Sequence, residues 1–170
     1  NVSAIEKLNV KSYVWFANYG VYGSYQCQSA EILSIHENKW NARLRVMKPG
    51  ATKLACFDTD INITTNKSGE RNVLEYKLSP ERPVQRRQLI YLNKDASCYI
   101  LRDLQNQTAE GQCQCQLLMT NFTSGMDIPL DCKNNYTTNC GKIIVPIFRH
   151  YCIHEEDDPQ SCPVPAFPQC

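Results

Sequence analysis

The sequence lacks several features that would point to familiar classes of protein. No stretch of about 18 apolar residues occurs, so we predict no membrane span. The formal net charge is +1, which gives no reason to expect nucleic acid or an anionic membrane as a partner. Histidine is limited to three residues, and the Gly-x-Ser-x-Gly, His-Glu-x-x-His and phosphate-loop motifs are missing. We therefore predict that the protein is not an enzyme and uses no cofactor.

Cysteine, in contrast, is abundant. The 170 residues include ten cysteines, which is typical of an oxidising compartment, where pairing all of them would give five disulfides. Acceptor sequences for N-glycosylation begin at Asn1, Asn62, Asn66, Asn106, Asn121 and Asn135. The chain starts at Asn1 with neither Met nor an apolar leader, which we interpret as a mature form whose signal peptide has been removed. These features predict a secreted, extracellular glycoprotein.

The hydrophobic pattern predicts a fold dominated by β-strands. Segments rich in aromatic and β-branched residues are separated by turn residues such as Lys48-Pro49-Gly50. The predicted strands are residues 12–18, 25–35, 40–47, 54–65, 72–78, 87–92, 97–103 and 113–120. About eight strands at this spacing are typical of an antiparallel barrel or sandwich.

Residues 127–140 break this pattern and predict a helix. The segment begins with Asp, has Pro129 in its opening turn and ends at Cys140-Gly141, which are start and stop signals of a helix. Residues 142–148 predict a last strand, where Pro146 favours an edge position.

The C-terminal residues 155–170 are acidic and then rich in proline, and we predict no regular structure there. We expect Cys162 and Cys170 to tether this tail to a domain formed by residues 1–154.

The order of eight strands, a helix and a short closing strand resembles the lipocalins. The segments LIYLNKDASCYILRD, CQCQLLMT and IPLDCKNNYTTNC, followed by a final Tyr-Cys, make the resemblance more specific. They resemble the tick salivary lipocalins, the family that includes the tick histamine-binding proteins, and SYQCQS around Cys27 matches the early cysteine of that family. The resemblance implies an all-β fold: an eight-stranded antiparallel barrel, rich in disulfides, with one C-terminal helix packed outside.

The same resemblance implies a pattern of disulfides. Cys98 would pair with Cys132 and clamp the helix to the outside of the barrel. Cys27 would pair with Cys152, and Cys115 with Cys140. The remaining cysteines exceed the usual family set and are expected to pair among themselves; they are Cys56, Cys113, Cys162 and Cys170.

Strand alternation then predicts which side chains line the interior of the barrel. If Cys98 and Cys115 face the helix, the residues next to them face inwards. Apolar alternation in residues 40–47 and 72–78 adds further positions. The predicted ligand-binding interior consists of Trp40, Ala42, Leu44, Val46, Leu74, Tyr76, Tyr99, Leu101, Gln116 and Leu118. The alternative is that these side chains simply fill a packed core, as they do in many small barrels.

The predicted interior bears on the class of ligand. A buried ammonium group needs a carboxylate partner. At the positions where the amine-binding relatives carry acids, this chain has Tyr99, Gln116 and, near the third, Asn18. A mostly apolar interior instead suits a lipid, a sterol or an eicosanoid. An eicosanoid carboxylate would need an arginine or lysine partner at the mouth of the barrel. The candidate partners are Arg43, Arg45, Arg86, Arg87 and Arg102. Arginines are mostly exposed in folded proteins, so we predict that each of these is a solvated surface charge.

Two other motifs have simpler interpretations. His150, Cys152 and His154 could suggest a metal site, but zinc sites need three or four ligands at defined spacing, and we predict no metal there. Cys113 and Cys115 lack the Cys-x-x-Cys spacing of redox motifs, and as alternate residues of one strand they face the same side, which suits two external bridges.

The sequence therefore predicts a monomeric lipocalin, secreted into tick saliva, that sequesters a small hydrophobic host ligand without turnover and so modulates inflammation or immunity. Two alternatives stay open. The protein could scavenge a biogenic amine such as histamine or serotonin, or it could bind a host immune protein or cell surface through its own surface.

Overall fold

The chain folds into a closed antiparallel barrel with one helix outside it. A computed structural model describes residues 4–120 and 127–163. The strands are β1 (Ser12–Ala17), β2 (Gln26–His36), β3 (Lys39–Met47), β4 (Ala55–Thr65), β5 (Arg71–Tyr76), β6 (Gln85–Leu92), β7 (Cys98–Gln107), β8 (Cys113–Thr120) and β9 (Val145–Pro146). Each of β2 to β8 pairs with its neighbour in sequence, and β1 pairs with both β8 and β2, which closes the barrel. The predicted fold class is confirmed.

The segment after the barrel strands is only partly as predicted. The helix α1 (Leu130–Cys140) begins later than predicted, because Pro129 is in an extended conformation (φ −53°, ψ 136°). It ends at Cys140, since Gly141 has a φ of 86° that favours glycine. The predicted last strand shrinks to β9, which pairs with β1 at the edge of the described sheet, a position that tolerates the missing N–H of Pro146.

Two short 3-10 helices, Ala4–Leu8 and His150–His154, were not predicted. The first places Ile5 and Leu8 in the interior cluster, so it covers one end of the barrel. Glu6 anchors this helix to the start of β5 through Arg71, at 3.3 Å.

The start of the C-terminal tail also has regular structure that was not predicted. Leu54 donates its N–H to the carbonyl of Glu156, and its own carbonyl accepts from the N–H of Asp158, both at 2.8 Å. This parallel bridge holds the tail beside the start of β4. Among the described residues, no helix has the length and hydropathy needed to cross a membrane.

Within residues 4–120 and 127–163, four disulfides hold the outer elements to the barrel. Cys98–Cys132 and Cys115–Cys140 join α1 to β7 and β8. Cys27–Cys152 joins β2 to the second 3-10 helix, and Cys56–Cys162 joins β4 to the tail. The first three are the pairings that the family resemblance implies. Cys113 is exposed and has no disulfide partner in the described part of the chain, and Cys170 lies outside it.

The buried side chains fall into an interior cluster and two outer ones. The helix-facing cluster contains Phe16, Cys98, Ile100, Cys115, Leu117, Met119, Cys132, Tyr136 and Cys140. Because Cys98 and Cys115 belong to it, their strand neighbours point into the barrel.

Candidate ligand-binding site

Most of the predicted interior residues lie inside the barrel. The interior cluster includes Trp40, Ala42, Leu74, Tyr76, Tyr99, Leu101 and Leu118, and none of these is more than 7% exposed. Leu44 is half-buried and packs against the cluster, and Gln116 is 5% exposed. Val46, the second-last residue of β3, is half-buried and is not part of this cluster. Whether these residues bind a ligand stays a prediction.

The interior also contains a polar cluster centred on Arg87. The Nη1 group of Arg87 donates to the hydroxyl of Tyr76 at 2.9 Å and to Oε1 of Gln116 at 3.1 Å. Its Nη2 donates to the hydroxyl of Tyr19 at 3.3 Å, and Nε2 of Gln116 donates to the same hydroxyl at 2.8 Å. Arg87 itself is 6% exposed. A buried guanidinium therefore links side chains from the ends of several strands.

Asp103 completes the polar cluster and balances its charge. Arg87 and Asp103 are register partners on β6 and β7, and Nε of Arg87 lies 3.9 Å from Oδ2 of Asp103. The carboxylate is held in place because its Oδ1 accepts the backbone N–H groups of Gln105 and Asn106, both at 2.8 Å. Both side chains of the ion pair are almost fully buried, at 7% and 2% exposed.

Burial and neighbouring groups set the charges in this cluster. Desolvation acts to lower the pKa of Arg87, but Tyr76, Tyr19 and Asp103 raise it more, so the pKa lies above its ordinary value and the guanidinium stays charged. Burial raises the pKa of Tyr19, against the opposing effect of Arg87, and burial also raises the pKa of Tyr99. Tyr19 and Tyr99 are therefore neutral hydroxyl groups.

The polar cluster lies at the barrel end opposite the N-terminal 3-10 helix. Tyr76 is the last residue of β5, whereas Arg71, which contacts that 3-10 helix through Glu6, is the first. Tyr19 follows the end of β1 and Gln116 lies in the first half of β8. Because neighbouring strands are antiparallel, these positions share the end where residues 18–25, 77–84 and 108–112 connect the strands.

Sequence reasoning missed three members of this cluster. The prediction that Arg87 is solvated is wrong, because its side chain points inwards with Leu89, two residues along β6. Asp103 continues the alternation of Tyr99 and Leu101, and extending that alternation would have found it. General burial preference argued against a charged interior, yet here the two opposite charges compensate each other.

Asn18 faces away from the interior. Its side chain hydrogen-bonds the backbone of Cys113, Cys115 and Cys140, on the helix side of the wall. The interior position next to it is Tyr19.

The other candidate arginines lie outside the barrel. Arg43 pairs with Asp58, Arg86 with Glu75, and Arg102 donates to Gln88. The prediction that Arg45 is solvated is wrong. Its side chain is only 9% exposed and lies between Glu31 and Asp157.

The sulfurs near possible metal ligands are already bonded. Cys152, between His150 and His154, is bonded to Cys27. Two groups of metal-binding residue types occur in the described ranges, Cys56–Asp157–Cys162 and Cys98–Asp131–Cys132, and in each the two cysteines are bonded to each other. Neither group offers a thiolate.

Comparison with known proteins places this geometry in a family. A model of the tick histamine binding protein family matches residues 2–154. A search of curated proteins finds no match. Among solved structures, the chain is similar to japanin from Rhipicephalus appendiculatus bound to cholesterol, with 13% identity and a TM-score of 0.55 over 89% of this chain and 95% of that chain.

Other solved barrels are similar too. Lobster apocrustacyanin A1 has 8% identity and a TM-score of 0.59, over 86% of this chain and 79% of that chain. The siderocalin Ex-FABP has 10% identity and a TM-score of 0.57, over 85% of this chain and 95% of that chain. At these identities the likeness shows the fold alone. Because the family model covers residues 2–154, the chain belongs to the tick histamine binding protein family, whose fold is that of the lipocalins.

Proposed function

We propose that this protein is a secreted salivary lipocalin that binds a small hydrophobic ligand inside the barrel and sequesters it from the host. The observation that carries the proposal is the interior wall, which is apolar along most of its length and has one polar cluster at one end. Such a wall suits a ligand with a long apolar body and a single polar group. Removing a host mediator in this way would dampen inflammation or immunity by stoichiometric binding, with the protein acting as a monomer.

Two further observations support this proposal. Four disulfides suit an oxidising, extracellular setting, and the sequons at Asn62 and Asn106 are exposed. The structurally similar japanin was solved bound to cholesterol.

The filled-core interpretation is the main competitor, because the buried side chains of the interior cluster are at most 7% exposed. Native mass spectrometry of the full chain, purified from the medium of eukaryotic cells, distinguishes the two. We expect a co-purified lipid, or binding of cholesterol or an eicosanoid after delipidation. A barrel that stays empty and ignores both kinds of ligand would contradict the proposal.

Variants of one strand locate the binding site. Leu101→Arg places a charge in the apolar interior and should weaken ligand binding at least about tenfold. Leu104→Arg is the matched control, since Leu104 lies on the same strand with its side chain 41% exposed, and it should bind like the wild type. If circular dichroism shows that Leu101→Arg does not fold, Leu101→Phe replaces it in the binding test, because the larger ring occupies interior space without adding a charge.

A second candidate function is protein binding through the loop of residues 18–25. Val21, Tyr22 and Tyr25 are 74%, 71% and 50% exposed, and exposed tyrosines are common at the centres of protein interfaces. The guanidinium of Arg149 lies 5.1 Å from the ring centroid of Tyr22 and adds a charge to this surface. Binding to host immune cells that is lost in Tyr22→Ser but kept in Leu101→Arg would favour this candidate over the first.

A further inference from the structure

The buried ion pair of Arg87 and Asp103 leaves the polar cluster electrically neutral. The guanidinium is close to one carboxylate, at 3.9 Å, and that carboxylate is also held by two backbone N–H groups. Asn106 donates a further hydrogen bond to it from Nδ2 at 3.2 Å. The Arg87 charge is thus already compensated before any ligand arrives.

The hydrogen bonds of the cluster leave the O–H donor of Tyr19 for a ligand. The hydroxyl oxygen of Tyr19 accepts from both Arg87 and Gln116, which occupies both of its lone pairs. Its own O–H must therefore donate, and the described residues supply no acceptor for it among their hydrogen bonds. Oε1 of Gln116 already accepts from Arg87, at 3.1 Å. A ligand oxygen that accepts a hydrogen bond fits this arrangement.

Combining charge and hydrogen bonding, we propose that the Arg87–Asp103 pair makes the barrel select a ligand whose polar group is an uncharged oxygen, such as a hydroxyl or a ketone. This inference rests on the proposed function. A ligand carboxylate would bring a second negative charge next to Asp103, with one guanidinium to balance both. A ligand ammonium would face the positive charge of Arg87, and the nearby carboxylate of Asp103 is already paired with that guanidinium.

Three ligands that differ only at one end test the inference. Arachidonyl alcohol, arachidonic acid and arachidonyl amine are titrated against the delipidated full chain, with cholesterol as a fourth ligand. Binding is followed by quenching of tryptophan fluorescence, since Trp40 lies in the interior. We expect the wild type to bind the alcohol at least about tenfold more tightly than the acid or the amine, about 1.4 kcal/mol.

A variant that removes one charge should reverse the preference. Asp103→Asn keeps the shape of the side chain and an Oδ1 acceptor but leaves the charge of Arg87 uncompensated. The affinity for arachidonic acid should therefore rise at least about tenfold relative to the affinity for arachidonyl alcohol. Asp60→Asn is the matched control, because that carboxylate on β4 has a side chain 55% exposed, and it should keep the wild-type preference.

The outcomes separate the two levels of the proposal. If the wild type binds the acid or the amine as tightly as the alcohol, the selection by charge is wrong, whereas ligand binding in the barrel stands. If none of the four ligands binds and no lipid co-purifies, the proposed function fails and takes this inference with it. The wild-type comparison decides the matter even if Asp103→Asn does not fold.

Discussion

The side chain of Asn18 joins the last residue of the helix, Cys140, to the barrel wall. Its Nδ2 group donates to the carbonyl of Cys140 at 3.0 Å and to that of Cys113 at 2.9 Å, while its Oδ1 accepts the N–H of Cys115 at 2.7 Å. One amide, 3% exposed, thus makes hydrogen bonds to three backbone groups. The residue is structural and does not contribute to the ligand site.

Replacing this amide with a carboxylate should destabilise the fold. Asn18→Asp loses both N–H donors and sets an oxygen against two carbonyls, so we expect the free energy of unfolding to fall by about 3 kcal/mol in urea titrations. Asn134→Asp, at an exposed position of α1, is the control and should change it by less than about 0.5 kcal/mol. An equal change in the free energy of unfolding in the two variants would show that the hydrogen bonds of Asn18 do not stabilise the fold.

Arg45 should matter more for stability than its neighbour Arg43. Arg45 bonds Glu31 at 2.6 Å and Asp157 at 2.9 Å with its side chain 9% exposed, and so it ties the tail to β2 and β3. Removing it leaves two carboxylates without their partner, so Arg45→Gln should cost about 2 kcal/mol.

The matched variant Arg43→Gln breaks a single, more exposed pair with Asp58 and should cost less than about 1 kcal/mol. Chemical denaturation measures both. If Arg43→Gln proves as costly as Arg45→Gln, the contact with the tail does not account for the difference.

Cys113 and Cys170 should form a fifth disulfide. Eight cysteines are bonded to one another in the described ranges, and Cys113 has no partner there. Two thiols would lose two protons and two electrons to a disulfide donor of the secretory pathway, by thiol–disulfide exchange. We expect no thiol to react with iodoacetamide in the denatured, unreduced wild type, and one thiol, at Cys170, to react in Cys113→Ser.

A glutathione adduct or a chain-to-chain bond at Cys113 would contradict this pairing. Intact mass under non-reducing conditions detects either product. The same measurement bears on whether the protein is a monomer.

Histamine and serotonin should not bind tightly in the interior. The carboxylate that an ammonium would need is present, at Asp103, but Arg87 already pairs with it. We expect no heat of binding above dilution in calorimetric titrations of the delipidated protein. Micromolar binding of either amine, lost in Leu101→Arg and kept in Leu104→Arg, would place an amine site in the barrel after all.

The family resemblance and alternation along the strands together predicted most of the architecture. Cys98 and Cys115 fixed which faces of β7 and β8 meet the helix, and Tyr99, Leu101 and Leu118 then fell inside. The same rule could not supply Ala4–Leu8, because a short 3-10 helix has too few residues to show a period.

The polar cluster was harder to predict for a different reason. The burial of Arg87 depends on Asp103, its register partner, and register between strands is not visible in a single strand. Likewise, Tyr19 enters the site from a loop, where alternation gives no guidance. Alternation along β7 could have indicated Asp103, but the compensation of its charge by Arg87 required the register of β6 and β7.

The two disulfides of α1 also determine where the barrel can loosen. Cys98–Cys132 and Cys115–Cys140 cross-link the helix to adjacent strands, so β7, β8 and α1 must move as one body. Entry and release of a ligand should therefore leave β7 and β8 together, and amide hydrogen exchange should be slowest along these two strands.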